Sequence, residues 1–135
     1  MSIDVHLDFA DTCEEAFRFY AEVLGGTDLQ IMTNGASPMA DKIPAERKNL
    51  VMHAHLNVDG TALMGADAPP QMYKAPQGVS LSVGAKDAAE AERKFAALSE
   101  GGQVRMPMAE TFFAKRFGMV TDRFGIPWMV VCQAG

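Results

Sequence analysis

Residues 12–26 read TCEEAFRFYAEVLGG and residues 87–102 read DAAEAERKFAALSEGG. Each stretch opens with a helix-capping residue followed three positions later by glutamate, continues with apolar residues at helical spacing and stops at a glycine pair. The second stretch begins 75 residues after the first. A repeat at this distance indicates two copies of one supersecondary unit, and a ligand site is expected where two such copies meet.

The residues that flank each helix alternate between apolar and polar side chains, which is typical of strands with one buried face. In the first half the predicted strands cover residues 3–9, 29–32, 50–58 and 61–64. In the second half the helix covers 88–99 and the strands cover 79–83, 103–106, 112–121 and 126–131. The predicted fold class is α+β, with two tandem β-α-β-β-β modules, residues 1–68 and 78–135, in a single domain.

The connections between the predicted elements differ in length. Residues 33–49, which include Pro38 and Pro44, form a connection much longer than the usual median of about 4 to 6 residues. Such a connection predicts a segment that lines a site or an interface. Residues 67–77 contain three prolines and are predicted to link the two modules.

The composition argues against several classes of partner. The net charge is -5, and the 12 basic residues are scattered, so no nucleic-acid partner is expected. The only cysteines, Cys13 and Cys132, lack the spacing of a metal site or a disulfide framework and suit a reducing compartment. With neither a signal-like start nor an apolar run of about 18 residues, the sequence predicts a soluble cytoplasmic protein without a membrane partner.

Three segments carry a family resemblance. They read EEAFRFY at residues 14–20, VMHAHL at residues 51–56 and ETFFAKRFGMVTDRFGIPWM at residues 110–129, the last being the most specific. Together they resemble the PhnB-like branch of the vicinal oxygen chelate superfamily, which includes glyoxalase I, bleomycin resistance proteins and extradiol dioxygenases. The resemblance covers nearly the whole chain. It implies paired modules whose curved mixed sheets enclose a cleft, usually in a homodimer.

The metal enzymes of that superfamily take one ligand from the first and last strand of each module. The matching positions here are Val5 or His6, Leu63 or Met64, residues 78–80, and Met129. Among these only His6 is a good ligand for a divalent ion, which needs about three or four donors when protein alone holds it. We therefore predict no metal and no cofactor. Some members of the branch carry a methyltransferase name, but this sequence has no glycine-rich strand-to-helix turn that would cradle a nucleotide cofactor.

His53 and His55 form a pair on the third predicted strand. Their i, i+2 spacing places them on one face, opposite Met52, Ala54 and Leu56, which are expected to pack on a helix. Because imidazole titrates near neutrality, we predict the pair as candidate general bases. The alternatives are hydrogen bonding in a polar cleft or dimer seam, and half of a metal site completed by His6 or Glu110.

Aromatic and charged residues cluster within residues 110–128. The aromatic side chains are predicted to form walls around a flat or hydrophobic ligand, with Arg116 holding an anion and Glu110 binding a cation or accepting a proton. The alternative is that the aromatic rings form sheet core and that Arg116 pairs with Glu110 at the surface. The candidate catalytic residues are thus His53, His55 and Glu110, and the candidate ligand-binding residues are Phe112, Phe113, Arg116, Phe117 and Trp128.

Three functions fit these residues. The preferred interpretation is a metal-independent protein that binds a small molecule in a cleft, with an acidic bias that favours neutral or cationic ligands. The alternative is a lyase- or isomerase-type enzyme that uses a cleft histidine or glutamate as general base, with or without a divalent metal. The third is a structural or regulatory dimer. A homodimer is expected because unpaired edge strands at the module ends need cover.

Overall fold

Each half of the chain folds as one β-α-β-β-β unit. The computed structural model describes residues 2–133, and the chain divides into the units Met1–Lys74 and Ala75–Gly135. Each unit contains one four-stranded mixed sheet and one α-helix within the described residues. The predicted α+β class with two β-α-β-β-β repeats is therefore confirmed.

The first unit consists of β1 (Val5–Phe9), α1 (Cys13–Leu24), β2 (Thr27–Thr33), β3 (Val51–Val58) and β4 (Thr61–Asp67). Its strand order is β1-β4-β3-β2, with β1 parallel to β4 and the other neighbours antiparallel. Parallel strands need a crossover connection, and the connection from β1 to β4 begins with α1. The connection from β2 to β3 contains three single-turn 3-10 helices, Asn34–Ala36, Ala40–Lys42 and Ala45–Arg47.

The second unit repeats this topology. It consists of β5 (Leu81–Ala85), α2 (Ala88–Ser99), β6 (Gln103–Ala109), β7 (Ala114–Thr121) and β8 (Pro127–Gln133). The strand order is β5-β8-β7-β6, and β5 is parallel to β8. Among residues 2–133, no helix has the length and apolar character that a membrane span requires.

Glycine allows each helix to lie directly against the centre of its sheet. A Cβ atom on Gly65 of β4 would lie 2.6 Å from Cε1 of Phe17 on α1. A Cβ atom on Gly118 of β7 would lie 2.7 Å from Cε1 of Phe95 on α2. The buried core of each unit gathers around these contacts, and the largest fully buried side chains in the described residues include Phe9, Phe17, Tyr20, Leu56, Leu98, Val120, Ile126 and Val130.

Helix α1 begins differently from the prediction. The side chain of Thr12 makes no capping hydrogen bond, so the predicted Thr12–Glu15 capping box is wrong. Instead, the amide of Cys13 donates to Oδ1 of Asp67 at 2.9 Å. A carboxylate accepts a stronger hydrogen bond than a hydroxyl does and suits the positive end of the helix dipole. The end of β4 therefore caps α1.

The predicted start of α2, end of α1 and turn between β3 and β4 are confirmed. The carboxylate of Asp87 accepts a hydrogen bond from the Glu90 amide at 2.8 Å and caps α2. Helix α1 ends at Gly25, whose φ of 68° is the left-handed conformation common after helices. Asp59 and Gly60, with φ of 49° and 85°, form the two-residue turn between β3 and β4.

Strand β7 begins later than the predicted 112–121. Oγ1 of Thr111 accepts hydrogen bonds from the amides of Phe113 at 3.3 Å and Ala114 at 3.0 Å. The Thr111 amide donates to the Ala114 carbonyl, which closes a turn. Phe112 and Phe113 therefore lie in the turn and not in the strand.

Candidate functional site

The two histidines of β3 lie on the sheet face that α1 does not cover. Gly65 faces α1, and Ala54 is its partner across the β3–β4 ladder, so Ala54 faces α1 as well. His53 and His55 are each one position away and point to the other side, which we call the open face of the first sheet. Ala54 is fully buried, whereas His53 is exposed and His55 half-buried. The predicted arrangement of the pair is confirmed; its catalytic role stays a prediction.

A row of side chains crosses the open face at the level of His55. His55 is level with Met64 on β4, and Met64 is level with His6 on β1. On the other side, His55 is level with Gln30 on β2. The open face therefore combines imidazole, amide and thioether groups.

His55 has a defined proton position. Its Nδ1 lies 3.1 Å from the carbonyl oxygen of Asp28. Because a carbonyl oxygen can only accept, a hydrogen bond here requires the proton on Nδ1, and the neutral ring then presents a lone pair at Nε2. The backbone of Asp28, to which this carbonyl belongs, has a left-handed conformation with φ of 58°. The third predicted catalytic residue, Glu110, is exposed and belongs to the second unit.

The open face does not offer a divalent ion a suitable ligand set. Nε2 of His6 is occupied by a hydrogen bond to Oδ1 of Asp8 at 3.0 Å, and its neighbour across the ladder is the thioether of Met64. The corresponding pair in the second unit is Ser82 and Met129, so the fifth-strand position falls at Ser82 and not within the predicted residues 78–80. Within residues 2–133, no group of three or more His, Cys, Asp or Glu side chains is placed to hold a metal ion.

Three phenylalanines form an aromatic ladder at the start of β7. The ring centroids of Phe112 and Phe113 are 5.2 Å apart, and those of Phe113 and Phe117 are 5.0 Å apart, both in edge-on geometry. Phe112 is fully exposed, whereas Phe117 is buried. Because its neighbour Gly118 faces α2, Phe117 points to the other side of the second sheet. The ladder thus exposes one ring while burying another, and its predicted ligand contact stays a prediction.

Arg116 is engaged by α2. Its Nε donates to Oε1 of Glu92 at 2.8 Å, and its Nη2 donates to the same oxygen. The alternative prediction of a surface pair between Arg116 and Glu110 is therefore wrong. Because Arg116 already holds a carboxylate, an anionic ligand would have to displace or share Glu92.

Trp128 lies in the core of the second unit. It is 3% exposed, and its Nε1 donates to Oδ2 of Asp122 at 2.8 Å. Like Val130 two positions later, it points toward α2, whose side of the sheet holds Gly118. This placement does not support the predicted ligand wall at Trp128.

Asp122 lies in the turn between β7 and β8 and is the acceptor of a buried hydrogen-bond network. Its Oδ1 accepts hydrogen bonds from the amides of Phe124 at 2.9 Å and Ile126 at 3.0 Å, in addition to the Trp128 contact of Oδ2. The residue is 3% exposed.

A cavity of about 500 Å³ lies in the first unit beneath the β2–β3 connection. We call it the loop cavity. Four of its lining residues come from the β2–β3 connection. The cavity therefore supports the prediction that residues 33–49 line a site. The lining comprises Asn34, Ile43, Pro44, Arg47, Val51, Met52, Ala66, Asp67, Pro69, Pro70 and Gln71.

Asp67 lines the loop cavity and also holds the starts of α1 and β3 through hydrogen bonds. Its Oδ1 accepts from the Cys13 amide and its Oδ2 from the Val51 amide, both at 2.9 Å. Burial, with a smaller contribution from Asp67, raises the pKa of the Cys13 thiol far above its ordinary value. Although a helix N-terminus commonly activates a thiol, burial dominates here. Cys13 is therefore a core residue and not a nucleophile.

Arg47 is held in the cavity wall through its backbone. Nδ2 of Asn34 donates to the Arg47 carbonyl at 2.9 Å. The guanidinium makes two longer hydrogen bonds of 3.4 Å, from Nη1 to Oδ1 of Asp11 and from Nη2 to the Ala68 carbonyl. Sequence patterns alone did not single out Arg47 or Asn34, because neither belongs to a recognised functional motif.

Comparisons with known proteins agree with this architecture. A family model described as 3-demethylubiquinone-9 3-methyltransferase matches residues 1–131. Protein YjdN from Escherichia coli (strain K12) is 31% identical over 138 residues, covering 96% of this chain and 94% of the relative. The crystal structure of PA1353 from Pseudomonas aeruginosa is 46% identical, covers 98% of each chain and has a TM-score of 0.89. The PhnB protein from Bacillus cereus shares the fold, with a TM-score of 0.79, 23% identity and coverage of 98% and 99%.

The structural matches show the same fold, with paired β-α-β-β-β units. The chain belongs to the family described as 3-demethylubiquinone-9 3-methyltransferase. The family match over residues 1–131 agrees with the predicted resemblance, some of whose members carry a methyltransferase name, and the structural similarity confirms the predicted fold.

Proposed function

We propose that this protein binds a small, largely apolar molecule and does so without a metal ion. The observation that carries the proposal is the loop cavity. Its volume of about 500 Å³ falls within the range of about 300–1,000 Å³ that is common for small-molecule sites. Its lining is mainly aliphatic side chains and prolines, with a few polar groups held by hydrogen bonds. This combination of apolar walls and fixed polar groups is typical of a binding site.

The methyl-transfer activity in the family description is not part of this proposal. Dinucleotide-type folds hold their cofactor where a glycine-rich turn leads from a strand into a helix of a mostly parallel sheet. Both sheets here are mixed, and the helix N-termini carry the protein's own carboxylates, Asp67 on α1 and Asp87 on α2. Both sites at which the helix dipoles would attract an anionic cofactor are therefore occupied.

The binding proposal is tested by filling the cavity. We expect a thermal-shift screen of apolar and amphipathic compounds to find a saturable stabiliser of the wild-type protein. Ala66→Phe should abolish that stabilisation because Ala66 lines the cavity. The control is Ala62→Phe, which introduces the same ring on the same face of β4 outside the lining. Equal ligand stabilisation in both variants would place binding elsewhere, and an unproductive broad screen would count against the function.

A second candidate is an enzyme that uses a histidine as general base. The observation that favours it is the hydrogen bond from His55 Nδ1 to the Asp28 carbonyl, which leaves Nε2 with a lone pair able to accept a proton. His55 is half-buried on the open face of the first sheet, where a reacting molecule could approach.

The proton position of His55 can be measured without a substrate. We expect nitrogen-15 chemical shifts to show Nδ1 protonated and Nε2 unprotonated in the neutral ring of His55. His53, for which no such carbonyl contact is seen, serves as the internal comparison. Finding the proton on Nε2 of His55 would remove the support for this candidate. For any turnover later found, His55→Gln should lower the rate more than it lowers stability.

The remaining parts of the interpretation stay predictions. We propose that the Phe112–Phe113–Phe117 ladder contributes a ligand wall, supported by the exposure of Phe112 and Phe113. Glu110 as general base or cation ligand, a homodimeric assembly and a cytoplasmic location are proposed from the sequence and its family resemblance alone.

A further inference from the structure

We propose that the loop cavity selects a singly charged organic acid, with Arg47 binding the carboxylate and the aliphatic lining surrounding the apolar body. This inference rests on the proposed binding function and adds the chemical class of the ligand. It follows from which polar groups of the cavity are already committed to the fold and which retain hydrogen-bonding capacity.

The acidic group in the lining is committed. Each oxygen of Asp67 accepts a backbone hydrogen bond of 2.9 Å, and the residue is 8% exposed. Removing either contact would leave a buried amide without an acceptor, which is costly. Asp67 is thus a structural acceptor, and a ligand that claimed its oxygens would weaken the start of α1 or β3.

Arg47 retains capacity for a ligand. A guanidinium has five N–H donors, and the two contacts to Asp11 and the Ala68 carbonyl are both 3.4 Å long. Charge-assisted hydrogen bonds are ordinarily about 2.7–2.9 Å, so these contacts are weak. The Arg47 side chain is 18% exposed, which reduces the screening of its charge by water. Its backbone carbonyl accepts a hydrogen bond from Asn34, so the base of the side chain is held in the cavity wall before any ligand arrives.

The neighbouring charges limit the charge of the ligand to one. Asp11 lies beside the guanidinium and Asp67 lines the same cavity, so a second negative charge on the ligand would face two carboxylates. A carboxylate matches the planar guanidinium through two parallel hydrogen bonds and carries a single charge. A dianionic phosphate monoester pairs with arginine as well but is repelled more strongly. The net charge of -5 opposes anions at long range, but salt screens it beyond about 8 Å.

Calorimetric titration of the full chain tests the inference. The probes are decanoate and phenylbutyrate, their uncharged primary amides, and decyl phosphate. We expect each acid to bind wild-type protein at least about 10-fold more tightly than its amide, and decanoate to bind more tightly than decyl phosphate. Arg47→Gln should weaken acid binding by about 10- to 100-fold, the range for lost charge-assisted hydrogen bonds, while amide affinity stays within about twofold. The control is Arg18→Gln, because Arg18 pairs with Glu14 on the exposed surface of α1.

The amides report whether the cavity survives the substitution. If Arg47→Gln loses amide binding too, Arg47→Lys decides, because it keeps the charge but not the paired geometry and should weaken only the acids. Equal affinity of acids and amides for the wild-type protein, or an acid preference that persists in both Arg47 variants, overturns the inference. If acids and amides bind equally and Ala66→Phe abolishes both, the binding function stands and the acid selectivity fails. If no probe binds, the acid selectivity fails, and the thermal-shift screen alone decides the binding function.

Discussion

Asp122→Ala is expected to lower the free energy of unfolding by about 3–5 kcal/mol, the range for removing one partner from a buried, hydrogen-bonded charged group. The carboxylate accepts hydrogen bonds from two backbone amides and from Nε1 of Trp128, and the residue is 3% exposed. Alanine would leave all three donors buried without an acceptor. Urea unfolding followed by fluorescence provides the measurement, since Trp128 is the only tryptophan.

Two further variants sharpen this test. Asp122→Asn keeps one carbonyl oxygen but brings an NH₂ group toward the remaining donors, so its loss should be smaller, about 1–3 kcal/mol. Asp41→Ala removes an exposed aspartate from the β2–β3 connection and should change stability by less than about 0.5 kcal/mol. If Asp122→Ala costs no more than Asp41→Ala, the network does not stabilise the second unit as described.

Asp67→Ala is expected to destabilise the protein by about 3 kcal/mol or more. The substitution removes the acceptor for the first amide of α1, at Cys13, and for the first amide of β3, at Val51. Both donors are buried, so each lost hydrogen bond costs more than a surface cap would. Denaturant unfolding at neutral pH measures the loss.

Asp87→Ala is the matched control for Asp67→Ala. Asp87 also caps a helix with its carboxylate, but it is exposed and its side chain accepts a hydrogen bond from the Glu90 amide alone. Its loss should be about 1 kcal/mol, the ordinary value for an N-cap. Similar losses in the two variants would contradict the view that Asp67 joins β4 to α1 and β3.

Local patterns in the sequence were sufficient for the order of the elements. Alternation and helical spacing are properties of neighbouring residues, so the strands, helices and the turn at Asp59 were predictable. The cap of α1 was not, because its acceptor Asp67 lies 54 residues beyond Cys13. The Thr12–Glu15 pattern fits a capping box, but the buried carboxylate of Asp67 on β4 caps the helix instead.

The candidate site was predictable to a smaller extent. Alternation correctly placed His53 and His55 on one face, but the contact of His55 with the Asp28 carbonyl depends on a neighbouring strand and a left-handed backbone. One interpretation of the sequence paired Arg116 with Glu110, whereas the packing of α2 on the sheet brings it to Glu92. Trp128 was assigned to a ligand wall by family resemblance, whereas strand parity directs its ring toward α2.

The residues that line the loop cavity differ in how freely they can be substituted. Asp67 anchors three secondary-structure elements, so a change at that wall is penalised by misfolding whatever it does for binding. The apolar side chains of Ile43 and Pro44, in the β2–β3 connection, accept no hydrogen bonds and are not fully buried, so new side chains there would reshape the cavity at little cost in stability. Engineering a different ligand preference should therefore start from residues 43 and 44, with the aspartate left untouched.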